Sequence, residues 1–238
     1  MARMKELEGE VLDLLRELSS SDLEKQYVAD LTGHTITPEN FLGLEINPRA
    51  VEIAQLVLWI GYLQWHFRVN GQERMPNEPI LTGLRTIEHR DTLIEYDDKL
   101  LERDDENRPV SRWDGETMKP HPVTRKPVPD EMARVESWFY PNPRATKWPK
   151  ADFIVGNPPF IGNKRMRAAL GDTYTEALRQ AYPDVPESAD LVMYWWDRAA
   201  EAVRLGHVER FGLVTTNSIT QAFNRQVVEK HLKSGTAP

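Results

Sequence analysis

The clearest structural signal in this sequence is residues 151–160, which read Ala-Asp-Phe-Ile-Val-Gly-Asn-Pro-Pro-Phe. The apolar run at 153–155 predicts a buried strand, and Gly156 followed by Asn and two prolines ends it, because proline cannot donate to a ladder. This pattern places Asn157 in a rigid turn at the carboxyl end of a strand. In open α/β sheets, ligands bind at that edge.

The turn at residues 157–160 offers mainly hydrogen-bond acceptors. Pro158 and Pro159 have no N–H, so the available groups are the side-chain carbonyl of Asn157 and the backbone carbonyl of Pro158, with Phe160 beside them. Two acceptors suit an exocyclic amine, whose lone pair becomes more available for attack, while the aromatic ring stacks on the flat ring that carries the amine. The alternative is an ordinary strand-to-loop turn.

Composition limits the classes of protein. The chain has 238 residues, 40% of them hydrophobic, enough for a sizeable core in one large or two small domains. It has no cysteine, which excludes disulfides and thiolate metal sites and fits a cytoplasmic protein. The net charge of -7 argues against a wholly basic nucleic-acid-coating protein. We find no apolar run of membrane-spanning length and no secretory signal, so we expect no membrane association.

Periodicity and turn signals predict an α/β order of elements. The predicted strands are 41–46, 84–91, 153–155 and 211–215, and the predicted helices are 3–18, 22–31, 47–67, 174–182, 189–205 and 221–232. The helix at 47–67 is apolar nearly all round, which predicts burial against a sheet. Residues 102–150 are rich in proline and charge and predict a long surface insertion. This order is typical of a doubly wound, mostly parallel sheet.

Two acidic residues follow predicted strands. Glu45 lies between a strand end and the helix start at Asn47-Pro48, where its carboxylate either accepts hydrogen bonds from ribose hydroxyls or acts as a helix-dipole partner. Asp91 either accepts a hydrogen bond from the adenine amine of a cofactor or is an exposed turn residue. The residues alone leave both choices open.

Cations occur in two places that could approach a nucleic acid. Lys164, Arg165 and Arg167 follow the turn closely and either contact phosphates or are scattered charges at a helix start. The second group lies in the insertion, where a solvated, mixed-charge loop is the simpler interpretation. Its members are Arg108, Arg112, Lys119, Arg125, Lys126, Arg134, Arg144 and Lys147.

Five segments together resemble a known family. The turn at 157–160 resembles the fourth motif of amino methyltransferases that use S-adenosylmethionine, chiefly DNA adenine-N6 methyltransferases. The segments that resemble the second, third, fifth and sixth motifs are 43–50, 90–93, 189–196 and 211–219. Residues 58–66, Leu-Trp-Ile-Gly-Tyr-Leu-Gln-Trp-His, and 157–167 are most similar to the methyltransferase region of MmeI-like restriction-modification enzymes. The resemblance covers nearly the whole chain.

The resemblance implies a Rossmann-like methyltransferase that acts on adenine flipped out of double-stranded DNA. The catalytic residues would be Asn157, Pro158, Pro159 and Phe160. The residues that bind S-adenosylmethionine would be Glu45, Ile46, Asp91, Thr92, Leu93 and Asn157. The nucleic-acid-binding residues would be Lys164, Arg165 and Arg167, and no metal or covalent intermediate is implied.

The chain also departs from the family pattern. No Gly-rich first motif precedes Glu45, and the family's first strand, C-terminal strand pair and target-recognition domain have no counterpart. Residues 1–238 therefore resemble a partial catalytic domain, whose partners would include the missing N-terminal and target-recognition segments. We expect the isolated chain to bind S-adenosylmethionine weakly or not at all. Two alternatives stay open: a non-catalytic remnant or subunit, and a methyltransferase acting on protein glutamine or an RNA base amine.

Overall fold

The computed structural model describes residues 2–18, 36–70, 86–115 and 117–233. The chain divides into two compact units, Met1–Thr92 and Leu93–Pro238. The helix predicted over 22–31 lies outside the described residues.

The described part of the first unit contains two α-helices and one pair of parallel strands. In chain order these are α1 (Ala2–Leu18), β1 (Gly43–Glu45), α2 (Pro48–Asn70) and β2 (Ile87–His89), with a 3-10 turn at Pro38–Asn40 before β1. The register pairs Gly43 with Ile87 and Glu45 with His89. Both predicted helices and both predicted strands of this region are confirmed, although the strands are shorter than predicted.

The start of α2 follows the capping chemistry that the sequence predicted. The Asn47 side-chain oxygen accepts the N–H of Arg49 at 3.0 Å and that of Ala50 at 3.4 Å. Pro48 occupies the first helical position, where its missing N–H removes no helical hydrogen bond.

The apolar surface of α2 is only partly covered. Val51 and Trp59 are buried, whereas four apolar side chains on the helix are 44–61% exposed. These are Ile53, Leu56, Val57 and Ile60. The predicted burial of this helix against a sheet is therefore confirmed only for the side that contacts β1 and β2. The physical reason is size, since strands of three residues each cover only one side of a helix.

The described part of the second unit contains four α-helices and ten short strands. The helices are α3 (Asn163–Leu170), α4 (Asp172–Ala181), α5 (Val192–Arg204) and α6 (Ala222–Lys233). The strands are β3 (Ile94–Glu95), β4 (Leu100–Leu101), β5 (Ser111–Trp113), β6 (Met118–Pro120), β7 (Pro127–Pro129), β8 (Arg134–Glu136), β9 (Trp138–Phe139), β10 (Arg144–Ala145), β11 (Phe153–Gly156) and β12 (Arg210–Leu213).

The core of the second unit lies around α4, α5 and α6. Leu178, Met193, Tyr194 and Val227 are at most 1% exposed, and the Tyr194 ring meets Tyr182 edge-on at 5.4 Å. The apolar stripe predicted along 189–205 is confirmed as core for most of its members. Helical periodicity identified it because α5 presents one continuous face to its neighbours.

Residues 100–115 and 117–139 form a two-stranded antiparallel ribbon, here called the β-arm. In this ribbon β4 pairs with β9, β5 pairs with β8 and β6 pairs with β7. The chain reverses direction at residues 121–126. The interpretation of this part of the insertion as a solvated loop is therefore wrong. Backbone hydrogen bonds such as Asp114 N–H to the Ala133 carbonyl, 3.0 Å, connect successive pairs of strands.

Strand β11, which precedes the turn at residues 157–160, pairs in parallel with β12. The register runs from Phe153 opposite Arg210 to Gly156 opposite Leu213. One face packs towards α5, where Phe211 meets Trp196 edge-on at 5.5 Å. The strand itself is confirmed, but its burial is not. Successive side chains of a strand alternate between faces, so Phe153 and Val155 are 59% and 85% exposed on the other face.

Parallel pairing occurs in both units, in β1–β2 and in β11–β12. The Rossmann-like, doubly wound sheet stays a prediction. Among the described helices, none combines the length and apolar character needed to cross a membrane.

Candidate functional site

The turn at residues 157–160 lies directly after Gly156, the last residue of β11. Asn157 is exposed and Phe160 is 48% exposed, whereas Pro158 is buried between them. The buried proline fixes the backbone, because its ring restricts rotation. The turn therefore presents an amide and an aromatic ring to solvent at the carboxyl end of a parallel strand pair.

The turn supplies two oxygens that can receive hydrogen bonds. No residue that the structure describes donates to the Asn157 side chain or to the Pro158 carbonyl. Pro158 and Pro159 bring no N–H of their own. A planar amine can therefore donate both hydrogens here while its ring system stacks on Phe160.

Asp190 fixes the loop that follows the turn. Its carboxylate accepts the Asn163 N–H at 3.0 Å and the Asn224 side-chain N–H at 2.8 Å. Burial disfavours the charged form, but hydrogen bonds from Ser218, Asn224 and Asn163 outweigh burial and lower the pKa of Asp190. The sequence reasoning did not assign this network to the site. Asp190 stands just before an apolar helix, which is a weak signal, and Asn224 has none.

The three predicted nucleic-acid-binding cations differ in their surroundings. Lys164 and Arg165 are exposed on α3 and form no ion pair with any residue in the described ranges. Arg167 is bound to Asp172 at 2.9 Å and to Glu176, and these two partners raise its pKa. Arg167 thus links α3 to α4, while the other two point to solvent without a competing acid.

Glu45 ends β1 with a half-buried side chain. Its Oε1 accepts the Asn47 N–H at 2.8 Å, in the turn that leads to α2. Its other oxygen, Oε2, accepts no hydrogen bond from the residues described in this structure. The next residue, Ile46, is 62% exposed, and its carbonyl lies 2.9 Å from Nε2 of His89.

Asp91 and Thr92 follow β2 and lie beside the end of β1. The Arg90 N–H donates to the Glu45 carbonyl at 3.0 Å, and the Thr92 hydroxyl donates to the Leu44 carbonyl at 3.4 Å. The structure thus brings together four predicted cofactor-binding residues at one end of this strand pair. They are Glu45, Ile46, Asp91 and Thr92.

Leu93, which was also predicted to bind the cofactor, follows Thr92 in the sequence but lies in the second unit. Its side chain is fully buried. Its carbonyl accepts the Tyr182 hydroxyl and the Thr146 N–H, both at 2.9 Å. A cofactor-binding role for Leu93 stays a prediction. In the structure, Leu93 packs in the core of the second unit.

A second polar cluster was not predicted from the sequence. It lines a cavity of about 430 Å³ beside α5 and α6. Asp197 accepts from His231 at 2.8 Å and from Lys230 at 3.4 Å, and His231 is only 2% exposed. Burial works against the charge of Lys230, but Asp184 and Asp197 outweigh it and raise the pKa of Lys230. The acids and cations of this cluster satisfy one another and join the two helices.

Comparison with known protein families gives a match over almost the whole chain. The family model described as MmeI, DNA-methyltransferase domain, matches residues 1–235. No curated protein matches, and no solved structure does. The predicted resemblance to the methyltransferase region of MmeI-like enzymes is confirmed, because the match covers almost the full sequence. The chain belongs to the MmeI DNA-methyltransferase domain family of restriction-modification enzymes.

Proposed function

We propose that this DNA methyltransferase transfers the methyl group of S-adenosylmethionine to the exocyclic amine of adenine in double-stranded DNA. The observation that carries the proposal is the turn at residues 157–160. It exposes an amide and an aromatic ring where a parallel strand ends, and the carbonyl of the buried Pro158 has no donor among the described residues. That combination matches a planar base with two amine hydrogens.

Each residue of the turn has a distinct role in this mechanism. Asn157 and Pro158 accept the two amine hydrogens, and Phe160 stacks on the adenine after the base leaves the duplex. Pro159 keeps the backbone from turning away. The amine nitrogen forms a bond to the methyl carbon as the carbon–sulfur bond breaks, and the surplus proton on nitrogen passes to water.

The carboxylates of the first unit fit the nucleoside part of the cofactor. Glu45 would accept from the ribose hydroxyls through Oε2, which has no donor among the described residues. Asp91 and Thr92 would approach the adenine of S-adenosylmethionine, and the exposed Ile46 would contact the face of that adenine. When bound, S-adenosylmethionine supplies an electrophilic methyl group on a positively charged sulfur.

The test is transfer of a tritiated methyl group from S-adenosylmethionine to duplex DNA, RNA or protein offered separately. We expect label in duplex DNA and N6-methyladenine after digestion to nucleosides. Label confined to protein glutamine or to RNA would overturn the proposal in favour of those substrates. Absence of label from all three would favour a non-catalytic subunit.

The variant Asn157→Ala isolates the proposed role of the amide. We expect loss of methyl transfer without a change in the thermal midpoint, because Asn157 is exposed and holds no described partner. Gln226→Ala is the matched control, since Gln226 is an exposed amide on α6. Full activity of Asn157→Ala would remove the residue from the mechanism.

A further inference from the structure

The charge of the β-arm changes sign along its length. Residues 97–106, at its base, contain six acids and two cations. Residues 117–129, here called the arm tip, contain three cations and no acid, in a chain whose net charge is -7. Acids also flank the arm tip in sequence, at positions 114, 116, 130 and 131, so the part that attracts a polyanion is the apex at residues 121–126, which carries Arg125 and Lys126.

The arm tip is an ordered turn. The His121 N–H donates to the Lys126 carbonyl at 2.9 Å, and the Arg125 N–H donates to the His121 carbonyl at 3.0 Å. Nδ1 of His121 accepts the N–H groups of Val123 and Thr124, both at 3.2 Å. Prolines at 120, 122, 127 and 129 restrict the flanking backbone. Little conformational entropy remains to be lost when such a turn binds a partner.

Two cations at the arm tip have no internal use. Arg125 and Lys126 are exposed and form no ion pair or hydrogen bond through their side chains with the residues described. Arg125 also has φ 57°, a left-handed conformation that favours glycine or asparagine. Arg125 therefore occupies a backbone conformation that glycine or asparagine adopts with less strain.

Other cations of the β-arm are engaged within it. The Arg103 guanidinium donates to the Asn107 carbonyl at 2.7 Å. Arg108 is paired with Asp104 at 2.9 Å and with Glu106 at 2.8 Å. Lys119, in the arm tip, is 3.3 Å from Asp130. The contrast singles out Arg125 and Lys126 as the charges available to a partner.

We propose that the arm tip binds the phosphate backbone of double-stranded DNA through Arg125 and Lys126. The inference rests on the proposed function for the choice of DNA as the polyanion. A two-stranded ribbon fits the major groove, which is about 12 Å wide. At about 3.3 Å per residue, the return strand of residues 127–139 carries the tip up to about 40 Å from the base. The acidic base thus stays away from the phosphates, and Val123, 83% exposed at the apex, contacts the sugars.

The test compares two double variants by fluorescence anisotropy with a labelled DNA duplex at several salt concentrations. In Arg125→Asn with Lys126→Gln, both free charges are lost, and asparagine tolerates the left-handed backbone. We expect affinity to fall roughly 10-fold or more at low salt, and the slope of log affinity against log salt to become shallower by about 2. Arg103→Gln with Arg108→Gln removes the same charge from engaged residues and should leave the slope unchanged.

Three results of the DNA-binding experiment would overturn the inference. They are an unchanged slope in the arm-tip variant, an equal loss in the control variant, and no DNA binding by the unmodified chain. Binding to anionic lipid vesicles is measured for the same variants. If the arm-tip variant lost vesicle binding as strongly as DNA binding, the arm tip would be assigned to a membrane surface instead. Methyl transfer is measured in parallel: transfer to DNA with an unchanged slope rejects only the inference, and an altered slope without transfer rejects only the proposed reaction.

Discussion

The side chain of Asn224 and the residue Asp190 hold each other by two hydrogen bonds of 2.8 Å that run in opposite directions. They are 34 positions apart in the sequence. Asn224 also donates to the Ser218 carbonyl at 2.8 Å and is only 2% exposed. Since Asp190 holds the Asn163 N–H as well, this pair anchors the loop after the turn at residues 157–160 to α6.

We expect Asn224→Ala to lower the free energy of unfolding by about 2 to 3 kcal/mol, because it removes three hydrogen bonds and leaves buried partners unpaired. Urea unfolding at pH 7 measures this change. The exposed neighbour variant Gln226→Ala should stay within about 0.5 kcal/mol of the unmodified chain. Equal midpoints for Asn224→Ala and Gln226→Ala would show that the pair contributes nothing to stability.

The lowered pKa of Asp190 predicts a pH dependence with a definite sign. The folded-state pKa lies below the ordinary value of 3.8, so the unfolded chain takes up the proton first as pH falls. The contribution of ionised Asp190 to the free energy of unfolding is complete above about pH 5, and it disappears as pH falls through the folded-state pKa. We expect the difference in unfolding free energy between the unmodified chain and Asp190→Asn to shrink between pH 6 and pH 3. A constant difference would contradict the assignment, whereas slopes common to both proteins come from other carboxyl groups.

Local chemistry explains what the sequence could predict. The helix starting at Pro48 is specified by Asn47 and by the proline itself, and its cap forms as expected. The stripe on α5 repeats every three to four residues, a period that only a helix places on one face. The turn at residues 157–160 is likewise fixed by its own two prolines.

Long-range packing explains what the sequence could not predict. The exposure of Val155 depends on which elements cover a face of β11. The hydrogen bonds between Asp190 and Asn224 join segments that are far apart in the chain. The β-arm was missed for a different reason. Pro120, Pro127 and Pro129 are usual strand breakers, but each strand of a two-stranded ribbon has a free outer edge, on which a missing N–H removes no ladder bond.

Asp197 should stabilise the second unit through its contacts with His231 and Lys230. We expect Asp197→Ala to lower the free energy of unfolding by about 2 to 3 kcal/mol, because the buried ring of His231 loses its 2.8 Å partner. The control is Glu229→Ala, which breaks an exposed pair with Arg225 on the same helix and should cost no more than about 0.5 kcal/mol. Unfolding in urea distinguishes them, and equal costs would show that the cluster is not a structural link.

Phe160 should matter for the target base and not for the fold. Its ring is 48% exposed, so Phe160→Ala should leave the thermal midpoint nearly unchanged. Stacking on a base contributes about 1 to 3 kcal/mol, and methyl transfer to DNA should therefore fall about 5- to 150-fold. Phe160→Trp keeps an aromatic face and should retain most activity. Phe223→Ala is the matched control, since Phe223 is 51% exposed on α6; equal losses in Phe160→Ala and Phe223→Ala would mean that stacking at Phe160 has no specific role.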